Sequence, residues 1–338
     1  MNILIVRLGA LGDIVHTVPA ASALRRAFPE ARIDWVVDAR HAAFADLVLP
    51  VDRVITLEKP SAGAWIDLVR QLRPIQYDVA LDFQGLMKSA VIARASGARR
   101  VAGFSIWHLR EKAARPFYSD VDRHEGAAHV IQKNLSLLST LGVNSTDVRF
   151  PLARIRSEAL EVVKEELGAE GSRSAFALIN PGAAWPNKRW PAARFGEVAS
   201  FLQEIRDLVS YVVWGPGEAP LAQEVIDASA GAARLAPPTT TADLLELSRE
   251  AALMVSGDTG PLQIAGAAGT PIVAIFGPTD PARNGPWSPD DVVVSRYGGC
   301  ECHYQRRCRR SIPCVNDVQV AEVTAAIQQR LGSVARAQ

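Results

Sequence analysis

Residues 255–263 are Val255-Ser256-Gly257-Asp258-Thr259-Gly260-Pro261-Leu262-Gln263, which follow an apolar run and precede a helical pattern of small residues. A strand that breaks at this turn and continues as a helix directs free backbone N–H groups at one point, where an anion such as phosphate binds. A second loop of the same kind opens the chain as Arg7-Leu8-Gly9-Ala10-Leu11-Gly12-Asp13, after the apolar residues 3–6. Two such loops, one in each half, predict two nucleotide-binding folds that face each other across a cleft.

Around both loops, short apolar strands alternate with amphipathic helices, a pattern typical of parallel sheets with helices on both faces. In the first half we predict strands at residues 3–6, 33–37, 54–57 and 79–83, and helices at 18–28, 40–48, 61–73, 85–95 and 125–141. In the second half we predict strands at 176–180, 208–214, 252–256 and 271–276, and helices at 192–205, 219–230, 242–250, 260–268 and 318–331. Residues 150–153 and the charged helix after them indicate a domain joint, so the predicted domains are 1–153 and 154–338.

The composition sets the broad class of the protein. A chain of 338 residues with 48% hydrophobic and 22% charged residues predicts a globular protein of two domains. Its formal net charge of +1 argues against a nucleic-acid partner bound by overall charge. No segment approaches the roughly 20 apolar residues that span a bilayer, and the N-terminal apolar run lacks the basic leader of a signal peptide. We therefore predict a cytoplasmic protein and leave peripheral contact with a membrane open.

Asp13 is the candidate catalytic residue of the first half. It lies just after Gly9 and Gly12, whose lack of side chains lets another molecule approach the backbone closely. One interpretation makes Asp13 the N-cap of the helix that contains Pro19. The other makes it a catalytic base, because a carboxyl with an ordinary pKa of about 3.9 is ionised at neutral pH. The residues alone leave both interpretations open.

The second half offers candidate residues for a phosphorylated ligand. Lys188, in the loop over residues 180–191, carries a point charge suited to phosphate. Glu218, in the loop over 214–218, offers a carboxylate that could bind ribose hydroxyls. A helix terminus stabilises an anion by about 0.3–2 kcal/mol, whereas enzymatic rate enhancement requires roughly 8 kcal/mol or more. A cation such as Lys188 therefore has to act together with the turn at Asp258, Thr259 and Gly260, although Lys188 taken alone could simply be a solvated side chain.

Together these loops resemble the heptosyltransferases of glycosyltransferase family 9, over nearly the whole chain. The most specific motifs are Arg7-Leu8-Gly9-Ala10-Leu11-Gly12-Asp13-Ile14-Val15-His16-Thr17-Val18-Pro19-Ala20, Lys188-Arg189-Trp190-Pro191, Ser256-Gly257-Asp258-Thr259-Gly260 and Gly277-Pro278-Thr279-Asp280-Pro281. Two further motifs look most like heptosyltransferase I, namely Asp34-Trp35-Val36-Val37 and Asp82-Phe83-Gln84-Gly85-Leu86-Met87-Lys88-Ser89-Ala90. The chain contains no Walker A, dinucleotide or nucleophile-elbow motif that would favour another enzyme class.

The resemblance implies a GT-B fold, in which two Rossmann-like domains with parallel sheets face a central cleft. It implies that residues 1–153 bind the acceptor, and that residues 154–338, with a C-terminal helix, bind the nucleotide-sugar. It also implies an inverting glycosyltransferase of lipopolysaccharide core synthesis, which moves L-glycero-D-manno-heptose from ADP-heptose to a Kdo residue of lipid A–Kdo. No metal is required for this reaction, and contact with the inner-membrane surface would be transient.

The family's roles fall on matching residues of this chain. Asp13 aligns with the catalytic base. The resemblance places the donor against Lys188, Glu218, Asp258, Thr259, Gly260, Gln263, Ala183 and Ala184. It places the acidic acceptor against Gly12, Arg7, Arg110, Lys112 and His129. Ala183 and Ala184 stand where heptosyltransferase I commonly carries hydroxyl residues, and Gln263 stands where histidine is common.

Four cysteines lie within one short stretch, at Cys300, Cys302, Cys308 and Cys314. Thiolates that converge in this way can hold one tetrahedral Zn or Fe ion. Reduced thiols or a labile disulfide are the alternatives, and the spacing is not that of a standard zinc knuckle.

Three other functions remain open from the sequence. A heptosyltransferase II-like enzyme, or another member of the family, would use a different acceptor. A sugar-nucleotide epimerase of GT-B architecture would need no acceptor. A non-catalytic module would bind the sugar-nucleotide or lipid A without transfer.

Overall fold

The structure is a computed structural model that describes residues 1–58, 61–122, 126, 129–169 and 175–337. Contacts between residues divide the chain into two compact units, Met1–Arg154 and Ile155–Gln338. Each unit is built on one parallel sheet with helices, as the alternating pattern predicts. The predicted α/β class of Rossmann-like units is thereby confirmed.

The first unit contains six strands and six helices among its described residues. Its strands are β1 (Asn2–Val6), β2 (Arg32–Asp38), β3 (Arg53–Leu57), β4 (Val79–Asp82), β5 (Arg100–Gly103) and β6 (Asp120–Val121). Its helices are α1 (Leu11–Val15), α2 (Val18–Ala27), α3 (Ala42–Ala45), α4 (Ala62–Leu72), α5 (Met87–Ala95) and α6 (Val130–Leu137). The strand order is β3-β2-β1-β4-β5-β6, with Ile3 beside both Ile33 and Val79.

The second unit repeats this arrangement. Its strands are β7 (Phe176–Asn180), β8 (Val209–Val212), β9 (Ala233–Leu235), β10 (Leu253–Gly257), β11 (Ile272–Phe276) and β12 (Val292–Ser295). Its helices are α7 (Glu158–Ala169), α8 (Ala192–Arg206), α9 (Ala219–Asp227), α10 (Thr241–Glu250), α11 (Gly260–Ala268), α12 (Pro281–Asn284) and α13 (Val320–Ala337). The order β12-β11-β10-β7-β8-β9 is that of the first sheet, strand for strand.

The central strands are buried on both faces, which explains why they read as continuous apolar runs. Every residue of β7, β10 and β11 is buried. Val255 pairs with Ile179 on one side and with Val273 on the other, and all three belong to one apolar core. Helix α13 adds Val323 and Ile327 to that core. The sheet is therefore held by dispersion contacts and by removal of apolar surface from water.

The helix predicted over residues 125–141 begins only at Val130 and ends as a 3-10 turn over Leu138–Leu141. Residues 125 and 127, which belong to that prediction, lie outside the described part of the chain. Among the described residues, no helix combines the length and the apolar character needed to cross a membrane.

Candidate active site

Each sheet has one point at which the chain order reverses, and ligands bind beyond the carboxyl ends of the strands at such a point. In the first unit, β1 lies between β2 and β4. In the second unit, β7 lies between β8 and β10. Of the two loops singled out in the sequence, one follows β1 and the other follows β10, which lies beside β7, so both lie at the carboxyl ends of strands next to a reversal point.

Asp13 lies inside the short helix α1, at its third position. Its Oδ2 atom forms an ion pair with Arg7 Nη2 at 2.6 Å and accepts a hydrogen bond from Ala10 N at 3.3 Å. The N-cap interpretation is wrong, since Thr17 is the N-cap residue of the helix that contains Pro19. The Asp13 side chain remains 38% exposed, so an acceptor molecule can reach it.

Arg7, predicted to contact the acceptor, positions Asp13 through this ion pair. Its side chain is only 9% exposed, and its guanidinium donates to the carbonyl of Phe83 as well as to Asp13. The indole of Trp35 in turn donates to the carbonyl oxygen of Arg7 at 3.1 Å. The catalytic candidate is therefore anchored to β2 and to the end of β4. Gly12, the other predicted acceptor residue of this loop, is the second residue of α1.

The loop after β4 is fixed by a buried carboxylate. Asp82 accepts hydrogen bonds from the N–H groups of Gln84 and Gly85, at 2.9 and 3.2 Å, and from Tyr118 Oη at 2.6 Å. Burial raises the pKa of Asp82, against the opposing effect of these donors. Gln84 Oε1 accepts from Leu8 N at 2.8 Å, which ties this loop to the one that carries Asp13. The sequence suggested no role for Gln84.

His41 is a second residue that the sequence did not reveal. It follows β2, and its ring lies against the Asp13 loop, because a Cβ atom on Gly9 would lie 3.1 Å from His41 Nε2. Burial lowers the pKa of His41, with a smaller contribution from the charge of Arg40. Burial thus favours the neutral imidazole, which offers one ring N–H donor and one ring nitrogen acceptor.

The predicted acceptor-binding residues outside the Asp13 loop differ in burial and in their contacts. They are Arg110, Lys112 and His129. Arg110 and Lys112 are exposed on either side of Glu111, whose carboxylate accepts from Met87 N at 2.8 Å. His129 is largely buried and caps α6, with its Nδ1 accepting from Ile131 N at 3.1 Å. The structure thus shows a capping role for His129, whose acceptor contact stays a prediction.

Lys188 and Asp258 meet in the second unit, 70 residues apart in the sequence. Lys188 Nζ lies 2.5 Å from Asp258 Oδ2, with side chains only 15% and 9% exposed. Thr279 Oγ1 donates to the same carboxylate oxygen at 2.7 Å. The Lys188 ammonium also lies 4.5 Å from the ring centroid of Trp185. The predicted combination of a cation with the turn after β10 is therefore present in the structure.

The turn itself is held by hydroxyl and amide groups. Thr259 is the N-cap of α11, and its hydroxyl accepts from Leu262 N at 3.5 Å. Asn180, at the end of β7, donates to Thr259 Oγ1 at 3.0 Å and to Ser256 Oγ at 2.9 Å. A Cβ atom on Gly257 would lie 3.1 Å from the Lys188 carbonyl, so the two loops approach closely there. The turn over residues 257–260, with Lys188 and Thr279, is called the cradle below.

Glu218 lies beside the loop after β7. Its Oε2 atom accepts from Gly215 N at 3.1 Å. A Cβ atom on Gly182 would lie only 2.4 Å from the same oxygen, so glycine is required there for the carboxylate to pack as it does. The predicted ribose ligand is thus next to the loop that contributes Lys188.

The remaining donor candidates differ in accessibility. Ala183 is buried and its carbonyl accepts from Arg189 Nε at 2.8 Å, whereas Ala184 is exposed. Gln263 is buried in α11 and its amide donates to the carbonyl of Asn284 at 2.8 Å. Gln263 therefore joins α11 to α12, and its contact with the donor stays a prediction.

The four cysteines come together in one cluster. Cys300, Cys302 and Cys314 are buried in one cluster, with Cys308 packed against it, and all four are free thiols. Burial raises the pKa of Cys314 to about 12, and contact with Cys300 adds to the shift. Among the described residues, no group of three or more His, Cys, Asp and Glu side chains is arranged to hold a metal ion. The structural Zn or Fe ion therefore gains no support, and the thiols pack as small apolar groups.

The sequence profile described as glycosyltransferase family 9 (heptosyltransferase) matches residues 65–312, about three quarters of the chain. Lipopolysaccharide heptosyltransferase 1 of Pseudomonas aeruginosa is 26% identical over 318 residues, which cover 91% of this chain and 87% of the relative.

Solved structures show the same fold. The Escherichia coli heptosyltransferase WaaC with ADP superposes with a TM-score of 0.78 at 21% identity, covering 98% of this chain and all of that one. The E. coli ADP-heptose lipopolysaccharide heptosyltransferase II gives a TM-score of 0.77 at 20% identity, covering 98% of this chain and 99% of the other. These likenesses place the chain in the GT-B class of folds.

Proposed function

The chain belongs to glycosyltransferase family 9 (heptosyltransferase), and from that membership we propose that it moves L-glycero-D-manno-heptose from ADP-heptose to a Kdo residue of lipid A–Kdo. The choice of this step is supported by the motifs at residues 34–37 and 82–90, and by the heptosyltransferase 1 relative at 26% identity. Its class as a glycosyltransferase follows from the family itself.

The cradle is the observation that carries the proposal. The backbone N–H groups of its turn lie at the start of α11. The side chains of Lys188 and Thr279 both contact the Asp258 carboxylate. Backbone donors and a cation at one point suit the two phosphates of a departing nucleoside diphosphate. Glu218 packs against Gly182, in the loop that carries Lys188, and from there its carboxylate can bind the ribose hydroxyls of the donor.

Asp13 supplies the base in the proposed reaction. Its carboxylate takes the proton from an acceptor hydroxyl, whose oxygen attacks the anomeric carbon of the heptose. The bond from that carbon to the β-phosphate oxygen breaks, ADP leaves with the electron pair, and the configuration at the carbon inverts. Lys188 and the N–H groups of Thr259 and Gly260 stabilise the charge that develops on the diphosphate.

A transfer assay with the purified protein tests this function. Lipid A–Kdo incubated with a panel of nucleotide-sugars is expected to gain one heptose from ADP-heptose alone, because the proposed donor site is built for that leaving group. Mass spectrometry of the lipid measures the gain, and heat-inactivated protein is the control.

The alternatives correspond to other outcomes of that assay. Transfer only to an acceptor that already carries heptose would make the enzyme heptosyltransferase II-like. Interconversion of a nucleotide-sugar without any acceptor would make it an epimerase. Tight ADP binding with no product of either kind would leave a binding module and would refute the proposed activity.

The acceptor is a membrane lipid, so we also propose a cytoplasmic enzyme in transient contact with the inner-membrane surface. The segment after β5 supports this contact. Trp107 is 81% exposed and Ile106 is 40% exposed, beside the exposed cations Arg110 and Lys112. An indole next to positive charge suits the interface of an anionic bilayer, where Trp rings are enriched and each basic residue adds about 1 kcal/mol.

Trp107→Ser is expected to weaken binding to phosphatidylglycerol vesicles roughly tenfold, because burial of a large apolar side chain is worth about 1.5–3 kcal/mol. Co-sedimentation measures the partition coefficient. The matched control is Ile312→Ser, which removes an apolar side chain that is 58% exposed in the other unit. Equal losses in the two variants would contradict a specific role for Trp107.

A further inference from the structure

The stretch from Cys300 to Cys314, called the cysteine segment, lies against the donor loops. Tyr304 N donates to the carbonyl of Pro278 at 3.0 Å, in the loop after β11. Asn187 Nδ2 donates to the carbonyl of Gln305 at 2.8 Å, in the loop that carries Lys188. The thiol cluster fixes the ends of this segment, since Cys300, Cys302 and Cys314 are buried together. The cysteine segment therefore lines one side of the proposed donor site.

The cradle needs a cation beyond Lys188. Asp258 lies 2.5 Å from the Lys188 ammonium, and both side chains are mostly buried. The positive charge of Lys188 is thus already balanced by a carboxylate of the site itself. A nucleoside diphosphate brings more than one negative charge, so the site requires further positive charge to hold it.

Arg306 of the cysteine segment is placed to supply that charge. Its guanidinium carbon lies 5.8 Å from the ring centroid of Trp185, the same indole that Lys188 approaches to 4.5 Å. Among the residues that the structure describes, no carboxylate forms an ion pair with Arg306. By contrast, Arg310 of the same segment is paired with Asp317 at 2.6 Å. Arg306 is exposed and can reach an incoming ligand.

We propose that Arg306 is a second cation of the donor site, and that it binds a phosphate group of the nucleoside diphosphate beside Lys188. This inference rests on the proposed function, which makes a nucleoside diphosphate the leaving group. The planar guanidinium can donate two parallel hydrogen bonds to one phosphate, which an ammonium cannot. Trp185 holds the guanidinium in place by a cation–π contact before the ligand arrives.

The experiment compares Arg306→Gln with Arg307→Gln. Arg307 is the exposed neighbour on the same segment and serves as the matched control. Calorimetry with ADP and with adenosine measures binding to the full-length protein. Arg306→Gln is expected to weaken ADP about 10-fold or more, as for a hydrogen bond to a charged group, and to change adenosine binding less than about 2-fold. Because Arg306 is exposed, the melting temperature should not change.

Two further readouts separate phosphate binding from a structural effect. The salt dependence of ADP affinity should become shallower in Arg306→Gln, since one phosphate contact is lost. Arg306→Lys should recover part of the affinity, because it keeps the charge but not the two-pronged geometry.

The outcomes also distinguish this inference from the proposed function. If wild-type protein binds ADP and both glutamine variants bind it equally well, the role of Arg306 is refuted and the donor site stands. If wild-type protein binds no ADP, the donor assignment itself fails, and the role of Arg306 fails with it.

Discussion

Asp13→Asn is expected to lower kcat by about 10²–10⁴-fold, the usual contribution of a general base. The amide keeps the size of the side chain and can still accept the hydrogen bond from Ala10 N, so the local fold should persist. It cannot take a proton from the acceptor hydroxyl. ADP affinity should remain within about 2-fold of wild type, because the cradle belongs to the other unit. Single-turnover transfer and calorimetry with ADP measure the two quantities.

Asp52→Asn is the matched control for this prediction. Asp52 also accepts from one arginine, Arg25 Nη2 at 2.6 Å, and from one backbone group, Ile33 N at 2.7 Å. Asp52 directly precedes β3, so it lies at the amino end of the parallel strands, whereas Asp13 lies beyond the carboxyl end of β1. Its loss should reduce stability without reducing kcat. If Asp13→Asn turned over at the wild-type rate, or no more slowly than Asp52→Asn, Asp13 would not be the base.

Lys188→Ala is expected to reduce kcat/KM for the donor by about 10²–10³-fold, comparable to the loss of one preorganised donor at a developing oxyanion. The variant loses the ammonium that faces the diphosphate. It also leaves Asp258 with Thr279 as its remaining partner in this network, so a negative charge would face the incoming phosphates. Initial rates at varied donor concentration, together with the Kd of ADP, measure the effect.

Lys164→Ala provides the comparison for that variant. Lys164 is a lysine of the same unit paired with an acid, Glu250, at 3.6 Å, and its side chain is 55% exposed. Its removal should leave donor kinetics unchanged within about 2-fold. An ADP affinity in Lys188→Ala equal to that of Lys164→Ala would show that Lys188 makes no contact with the diphosphate.

Most of the fold could be predicted because its central strands are apolar throughout. Strand β7 matches its predicted range, and α11 begins and ends where the pattern places it. The strands that the sequence did not reveal lie toward the sheet edges. Strand β5 begins with Arg100 and ends with Gly103, and β9 has Arg234 at its centre. The arginine leaves these two short strands without a continuous apolar run, whereas β12 carries three consecutive valines and was missed all the same.

Local patterns in the sequence indicate residues in the loops that follow central strands, but they do not indicate contacts that depend on tertiary structure. Lys188 and Asp258 were predicted because each stands in a recognisable turn. Thr279 contacts Asp258 only because of the fold, so no local spacing indicates that contact. His129 is predicted to contact the acceptor from the family resemblance, and the helix-capping contact of its imidazole is not apparent from its position in the sequence.

The chain passes from the first unit to the second only once, between residues 154 and 155, and this has a practical consequence. Each unit is continuous in sequence and has its own sheet and its own apolar core. We therefore expect the two units, expressed as separate polypeptides, to fold independently. The C-terminal polypeptide alone, at about half the mass, would suit nuclear magnetic resonance. Its amide spectrum, followed as ADP is added, would map nucleotide contacts residue by residue in the absence of the first unit.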